Sequence, residues 1–263
     1  MINSELHSLS ALEYHSMISP QVLVPPLKKT LVFGVPVHLC NNYGDWLQGR
    51  LEREEGVHVI TLNSEMVMLA EKNAAVEEAI HHADLVIPDG AGVTIYLRLE
   101  GFKQARCPGI ELAAEMIHRI AQSPDPMAIA FYGGAPGVTD LAAQNWQRQY
   151  PQLEILTRHG FINETEEAEW CQTLQERQPS LILVGLGVPR QEYWIQAHRH
   201  LCPQSIWVGV GGSFDVWSGN KQRAPKFFCR FNLEWLYRLY QEPWRWRRML
   251  VLPKFFLRTL FTR

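Results

Sequence analysis

Short apolar runs alternate along this chain with longer segments in which apolar residues recur every third or fourth position. The runs have the length and β-branched character of buried strands. They are Thr30–Val35, Val57–Thr61, Leu85–Ile87, Met127–Tyr132, Leu153–Thr157, Leu181–Leu186 and Ser205–Val210. The longer segments have helical period: Asp45–Glu55, Ser64–Asn73, Ala74–His82, Gly92–Glu100, Ile110–Gln122, Val138–Tyr150, Glu164–Arg177 and Gln191–His200. In Ser64–Asn73, for example, Met66, Leu69 and Ala70 share one face. Regular β-α alternation predicts an α/β fold: a mainly parallel, Rossmann-like sheet with helices on both faces. Residues 1–28 hold no sustained period, carry Val24-Pro25-Pro26 near their end, and read as an arm with room for one short helix. No internal repeat or low-complexity tract interrupts the pattern.

Composition narrows the class. Of 263 residues, 46% are hydrophobic and 20% charged, which is ordinary for a globular protein. No run approaches the roughly 18 apolar residues of a membrane span. The N-terminus lacks a basic stretch followed by an apolar one, so no signal peptide is expected. Cys40, Cys107, Cys171, Cys202 and Cys229 are scattered, with no CxxC pair, which argues for a reducing compartment and against a zinc site or disulfide framework.

Charge changes the picture more. The net charge is -2, yet residues 221–263 carry eleven Lys/Arg against two Asp/Glu. The same segment holds 11 of the 28 aromatic residues. The composition shifts near Gly219–Pro225. This divides the chain into an arm (1–28), an α/β body (29–220) and a basic, aromatic appendage (221–263). Such a tail on an acidic body asks for an anionic partner. An anionic membrane surface suits its interleaved Trp, Phe, Lys and Arg. Arginines clamping a diphosphate are a second reading, and a helix packed on the body through its aromatics is the plain structural one. No nucleic-acid motif appears.

In parallel α/β sheets, ligands gather beyond the carboxyl ends of the strands. Thr61-Leu62-Asn63-Ser64-Glu65 follows one strand, and Asn63 or Ser64 there could equally be a helix cap. Pro88-Asp89-Gly90 follows the next. It presents a carboxylate able to take a hydroxyl proton, although Pro-Asp-Gly is also turn chemistry. Gly133 and Gly134 open a helix where backbone N–H groups suit phosphate, or form a simple Gly-rich turn. Gly185-Leu186-Gly187-Val188-Pro189 leads into Arg190, Gln191 and Glu192, a polar cluster at a strand edge that faces a ligand or merely starts a helix. Gly209-Val210-Gly211-Gly212-Ser213-Phe214 leads to Asp215, a ribose partner or a cap. There is no P-loop, GxGxxG or GxSxG signature. Asp-x-Asp, the usual carboxylate pair for a metal-bound nucleotide diphosphate, is also missing. His81 with His82, and His198 with His200, have the wrong helical spacing to share a ligand. No metal or cofactor is therefore expected.

In this order and spacing the segments resemble the WecG/TagA/CpsF family of bacterial glycosyltransferases, from about Val35 to about Arg248. The carriers are those above together with Phe131-Tyr132-Gly133-Gly134, Tyr150-Pro151, His159-Gly160-Phe161, Arg223-Ala224-Pro225 and Leu233-Glu234-Trp235-Leu236-Tyr237-Arg238. The resemblance implies an inverting, metal-independent transferase. It would move N-acetylmannosamine from UDP to polyprenyl-diphosphate-linked N-acetylglucosamine, for a cell-surface polymer, at the inner face of the bacterial membrane. It implies Asp89 as base, with Thr61 beside it and Arg238 at the reacting diphosphate. Gln191 and Asp215 fall in the nucleotide pocket, and Arg245 and Arg248 face diphosphate groups. Asn63, Gly90, Gly133, Gly134, Gly185, Gly187, Arg190, Glu192, Gly211 and Arg223 complete the expected substrate contacts. Another UDP-sugar such as UDP-glucose, and a non-catalytic membrane-docked nucleotide-binding module, are the competing readings. A nicotinamide-dependent dehydrogenase ranks a distant third, since it needs a GxGxxG after the first strand, where Gly34-Val35-Pro36-Val37-His38 stands instead. Oligomeric state is left open, a homo-oligomer included.

Overall fold

A computed structural model describes residues 26–231 and 233–261. The arm expected over residues 1–28 lies outside them except for its last three residues.

The chain enters through β1 (Lys28–Val32) and β2 (Val35–Leu39), an antiparallel hairpin separate from the main sheet. This corrects the expectation of one strand over Thr30–Val35. Phe33 and Gly34 both adopt left-handed backbone (φ 49° and 93°) and form a tight turn between the two strands. Left-handed conformation at both central residues is what the right-handed twist of a hairpin demands. The ring of Phe33 carried the apolar run across the turn and hid it.

Beyond α1 (Tyr43–Leu51), whose cap Asn42 accepts from the Asp45 N–H at 3.1 Å, the alternation runs as expected. It comprises β3 (Val57–Leu62), α2 (Ser64–Ala70), α3 (Ala74–His81), β4 (Leu85–Pro88), α4 (Ala91–Leu99) and α5 (Gly109–Ala121). Then come β5 (Ile129–Gly133), α6 (Val138–Gln149), β6 (Ile155–Arg158), α7 (Glu164–Arg177), β7 (Leu181–Gly185), α8 (Arg190–His198), β8 (Ile206–Gly209) and α9 (Ser213–Trp217). The six strands from β3 onward form one parallel sheet in the order β4-β3-β8-β7-β5-β6.

Except in the half-exposed edge strand β6, successive strand residues enter opposite cores, so both faces are buried and the strands read as apolar runs. Val59, Ile87, Phe131, Leu183 and Val208 pack against α1, α5 and α6 on one face. On the other, Ile60, Leu62 and Val86 meet α2, α3, α4 and the hairpin, while Tyr132, Ile182 and Trp207 meet α7 and α8.

The tail folds into α10 (Lys226–Arg230), α11 (Glu234–Gln241), α12 (Trp246–Met249) and α13 (Val251–Phe261). It is tied to the body. Phe255 of α13 is 2% exposed and belongs to the same core as α2 and α4. Its ring meets Phe33 of the hairpin turn edge-on, with centroids 5.2 Å apart, and Arg258 lies 4.4 Å over the Phe33 ring. Phe228 and Tyr237 pack on each other, while Phe227, Tyr240, Trp244 and Phe261 are exposed.

Candidate active site

Two groups of expected residues gather at the carboxyl edge of the sheet. At its β4 end, Asp89 leaves Pro88 with its N–H donated to the Leu62 carbonyl at 2.9 Å. Asn63 caps α2 by accepting from the Met66 N–H at 3.0 Å. Gly90 is needed between them, because a Cβ there would lie 2.9 Å from the Asn63 Cβ. Gly109, the first residue of α5, is pressed just as closely: its Cβ would lie 2.5 Å from a Thr61 methyl. That closeness brings the Gly109 N–H to Asp89 Oδ1 at 3.3 Å. The buried Thr61 hydroxyl donates to the Gly209 carbonyl at 3.1 Å and fastens β3 to β8.

Asp89 is only partly exposed, and burial pushes its carboxyl up to about 6. Arg106, Arg238 and the Gly109 N–H oppose that rise, while Glu234 adds to it. Near neutrality such a group is ionised, yet more basic than an ordinary carboxylate, as a general base should be.

Arg106 is a site residue that the sequence alone does not mark. Its Nε donates to the carbonyl of Asp89 itself at 2.7 Å, and its Nη2 pairs with Glu234 of α11. A lone arginine in a loop between two helices carries no periodic or motif signal. Only the fold reveals it.

The second group lies beside the first. The chain leaves β5 toward β6 and leaves its neighbour β7 toward β8, in opposite directions, so a crevice opens between them. Glycines make that meeting possible. A Cβ on Gly133 would lie 2.4 Å from the Gly185 carbonyl oxygen, and one on Gly185 would lie 2.7 Å from the Phe214 ring. Gly134 donates to that same Gly185 oxygen at 3.1 Å. Gln191 joins the two following loops, since its Oε1 accepts from the Gly187 N–H at 3.2 Å and the Gly211 N–H at 3.0 Å. Its Nε2 donates to Glu192 at 2.8 Å. Both side chains are buried, so they form the floor under the loops. Burial lifts the Glu192 carboxyl to about 7 against the pull of the Gln191 amide. Arg190 is exposed and borders a cleft of about 360 Å³ with Tyr132, Gly160, Glu167 and Trp194.

The remaining expected residues stand around these two groups. Asp215 pairs with Lys221 at 3.0 Å. Arg223 pairs with Glu111 of α5, and Arg248 with Glu65 of α2 at 2.6 Å. Arg238 is exposed on α11, near enough to act on both Asp89 and Glu234. The side chain of Arg245 lies outside the described residues. Among the described residues no three His, Cys, Asp or Glu side chains are grouped to hold a metal ion.

The model of the glycosyl transferase WecG/TagA/CpsF family matches residues 30–263. The chain belongs to this family. Three similar proteins share one name, N-acetylglucosaminyldiphosphoundecaprenol N-acetyl-beta-D-mannosaminyltransferase. That of Bacillus spizizenii is 38% identical over 207 residues, 78% of this chain and 79% of the relative. That of Bacillus subtilis is 32% identical over 212 residues, 80% and 81% of the two chains. That of Staphylococcus aureus is 33% identical over 198 residues, 75% and 77%. This glycosyltransferase thus has the parallel α/β sheet that its alternating pattern announced.

Proposed function

We propose that this glycosyltransferase moves N-acetylmannosamine from UDP to N-acetylglucosamine carried on a polyprenyl diphosphate. The shared name of the relatives supports both the sugar and the acceptor. The observation that carries the chemistry is Asp89: a partly buried carboxylate at a strand end, raised to about 6 and faced by Arg106 and Arg238.

In this reading Asp89 takes the proton of the acceptor hydroxyl as its oxygen attacks the anomeric carbon. The bond from that carbon to the UDP β-phosphate oxygen breaks, and its electron pair leaves with the phosphate. One displacement with one base inverts the centre and needs no covalent intermediate. Charge growing on the phosphate is met by Arg238, with Arg245 and Arg248 following on the same tail, rather than by a metal. Thr61 and Asn63 shape the edge on which the acceptor rests. Backbone at Gly90, Gly133, Gly134, Gly185, Gly187 and Gly211 leaves room for the donor. Arg190, Asp215 and Arg223 border it, and Gln191 with Glu192 hold the loops that receive it.

The tail suits work at a lipid surface. No helix among the described residues is long and apolar enough to cross a membrane. On α13, Phe255 and Thr259 face the body, while Phe256, Leu257, Leu260 and Phe261 face outward. Trp244 and Trp246 are also exposed, beside Arg247 and Arg248. We place the enzyme peripherally on the inner face of the membrane, where a polyprenyl-linked acceptor resides.

The test is acceptor-dependent UDP release in EDTA from UDP-N-acetylmannosamine, UDP-N-acetylglucosamine and UDP-glucose. Turnover with the first donor alone is expected. Preference for another donor would overturn the sugar assignment, and loss of turnover in EDTA would overturn the metal-free mechanism.

A further inference from the structure

The two groups that hold Asp89 are both tied to the C-terminal segment. Arg106, bonded through Nε to the Asp89 carbonyl, pairs through Nη2 with Glu234, the first residue of α11. Helix α5, which donates the Gly109 N–H to the Asp89 carboxylate, pairs through Glu111 with Arg223. Arg223 in turn lies 3.9 Å from Glu234. Glu234 also accepts from the Cys229 thiol at 3.0 Å, so α10 and α11 are locked at the same point. The Arg106 and Glu234 side chains are each only 17% exposed, unlike the solvated ion pairs elsewhere on the surface. One helical turn beyond Glu234 stands Arg238.

We propose that Glu234 is a positioning residue that seats the C-terminal segment on the catalytic edge, holding Arg106 against Asp89 and bringing Arg238 to the reacting groups. This rests on the reading of Asp89 as base. A contact made only for stability would move the Asp89 proton only through the lost Glu234 charge, whereas loss of a seat for Arg238 would move it the other way. The groups facing the Asp89 carboxyl are Arg106, Cys107, Glu234 and Arg238. Removing the Glu234 charge by itself makes Asp89 more acidic. Loosening Arg106 and unseating Arg238 make it less acidic, and two displaced cations outweigh one lost carboxylate. The direction of the shift therefore separates the two roles.

The experiment measures kcat and the pH profile of kcat/KM for UDP release in wild type, Glu234→Gln, Arg238→Gln, the double variant and Asp89→Asn. Glu234→Gln is expected to lower kcat about 10- to 100-fold and to move the acid limb upward. Arg238→Gln should do the same, and the double variant should be no slower than the slower single one. Glu234→Asp keeps the charge but draws it back by one methylene. It should fall between wild type and Glu234→Gln, and it carries the test if the glutamine variant does not fold. Wild-type turnover with an unmoved limb, or a limb moved downward, would overturn the proposal. If Asp89→Asn keeps full turnover, it is the base reading that has failed. If Asp89→Asn is inactive while Glu234→Gln is fully active, only the role given to Glu234 falls.

Discussion

Asp89 and Glu192 are both acids made less acidic by burial, but their surroundings give them different work. Asp89 sits at the edge with arginines in front of it, while Glu192 lies under Gln191 with Oε2 unpaired among the described residues. Both carboxyls are raised in the fold above their ordinary values of 3.8 and 4.5, to about 6 and about 7. The native state therefore holds protons that the unfolded chain has released. Their contribution to stability is full below pH 4 and is lost as pH rises through 6 to 7. Asp89→Asn, which cannot ionise and still accepts from Gly109, should melt higher than wild type at pH 8, by about 2–4 °C, with the gap closing toward pH 4. Thermal melts across pH check this. Thr61, Asn63 and Asp89 are legible because each stands at, or just past, the end of a strand that the apolar runs mark. The partners are not. Thr61 reaches Gly209 across 148 positions and Arg106 reaches Glu234 across 128, and no local pattern spans such distances.

At the scale of elements, glycines at the strand ends were legible as loops but not as packing. A methyl group on Gly133 would strike the Gly185 backbone, and one on Gly185 would strike the Phe214 ring and the Gly211 carbonyl. Gly185→Ala should therefore cost about 1–3 kcal/mol in denaturant unfolding and weaken UDP binding, because the loops that Gln191 joins must part. Unchanged unfolding would show that the crevice is more yielding than its contacts suggest. Boundaries moved where exposure overrode hydrophobicity. Met127 opens an apolar run but is 48% exposed, and β5 begins at Ile129. The hairpin is hidden in the sequence for a different reason, since apolar Phe33 occupies a turn position usually held by Asn or Gly.

Across the whole molecule, the excess of basic and aromatic residues after Lys221 marked the tail, but not that it is anchored at both ends. Glu234 ties its start to the catalytic edge, and Phe255 plugs its last helix into the core. Phe255→Ala should remove about 3–5 kcal/mol of packing from that helix and increase protease cleavage in residues 251–261, while the sheet stays folded. Vesicles with anionic lipid should bind the enzyme at low salt and release it as ionic strength rises. Trp244→Ser with Trp246→Ser should abolish vesicle co-sedimentation and leave UDP binding intact.

The central claim is that Asp89 is the base of a sugar transfer. Initial rates of acceptor-dependent UDP release, compared for wild type and Asp89→Asn from pH 5 to 9, test it most directly. The account predicts a wild-type acid limb near pH 6 and, on the plateau above it, a loss of about 10²- to 10⁴-fold in the variant, which narrows as pH falls below 6. Asp89→Asn turning over at the wild-type rate, with the same acid limb, would contradict it and leave Asp89 as a turn residue.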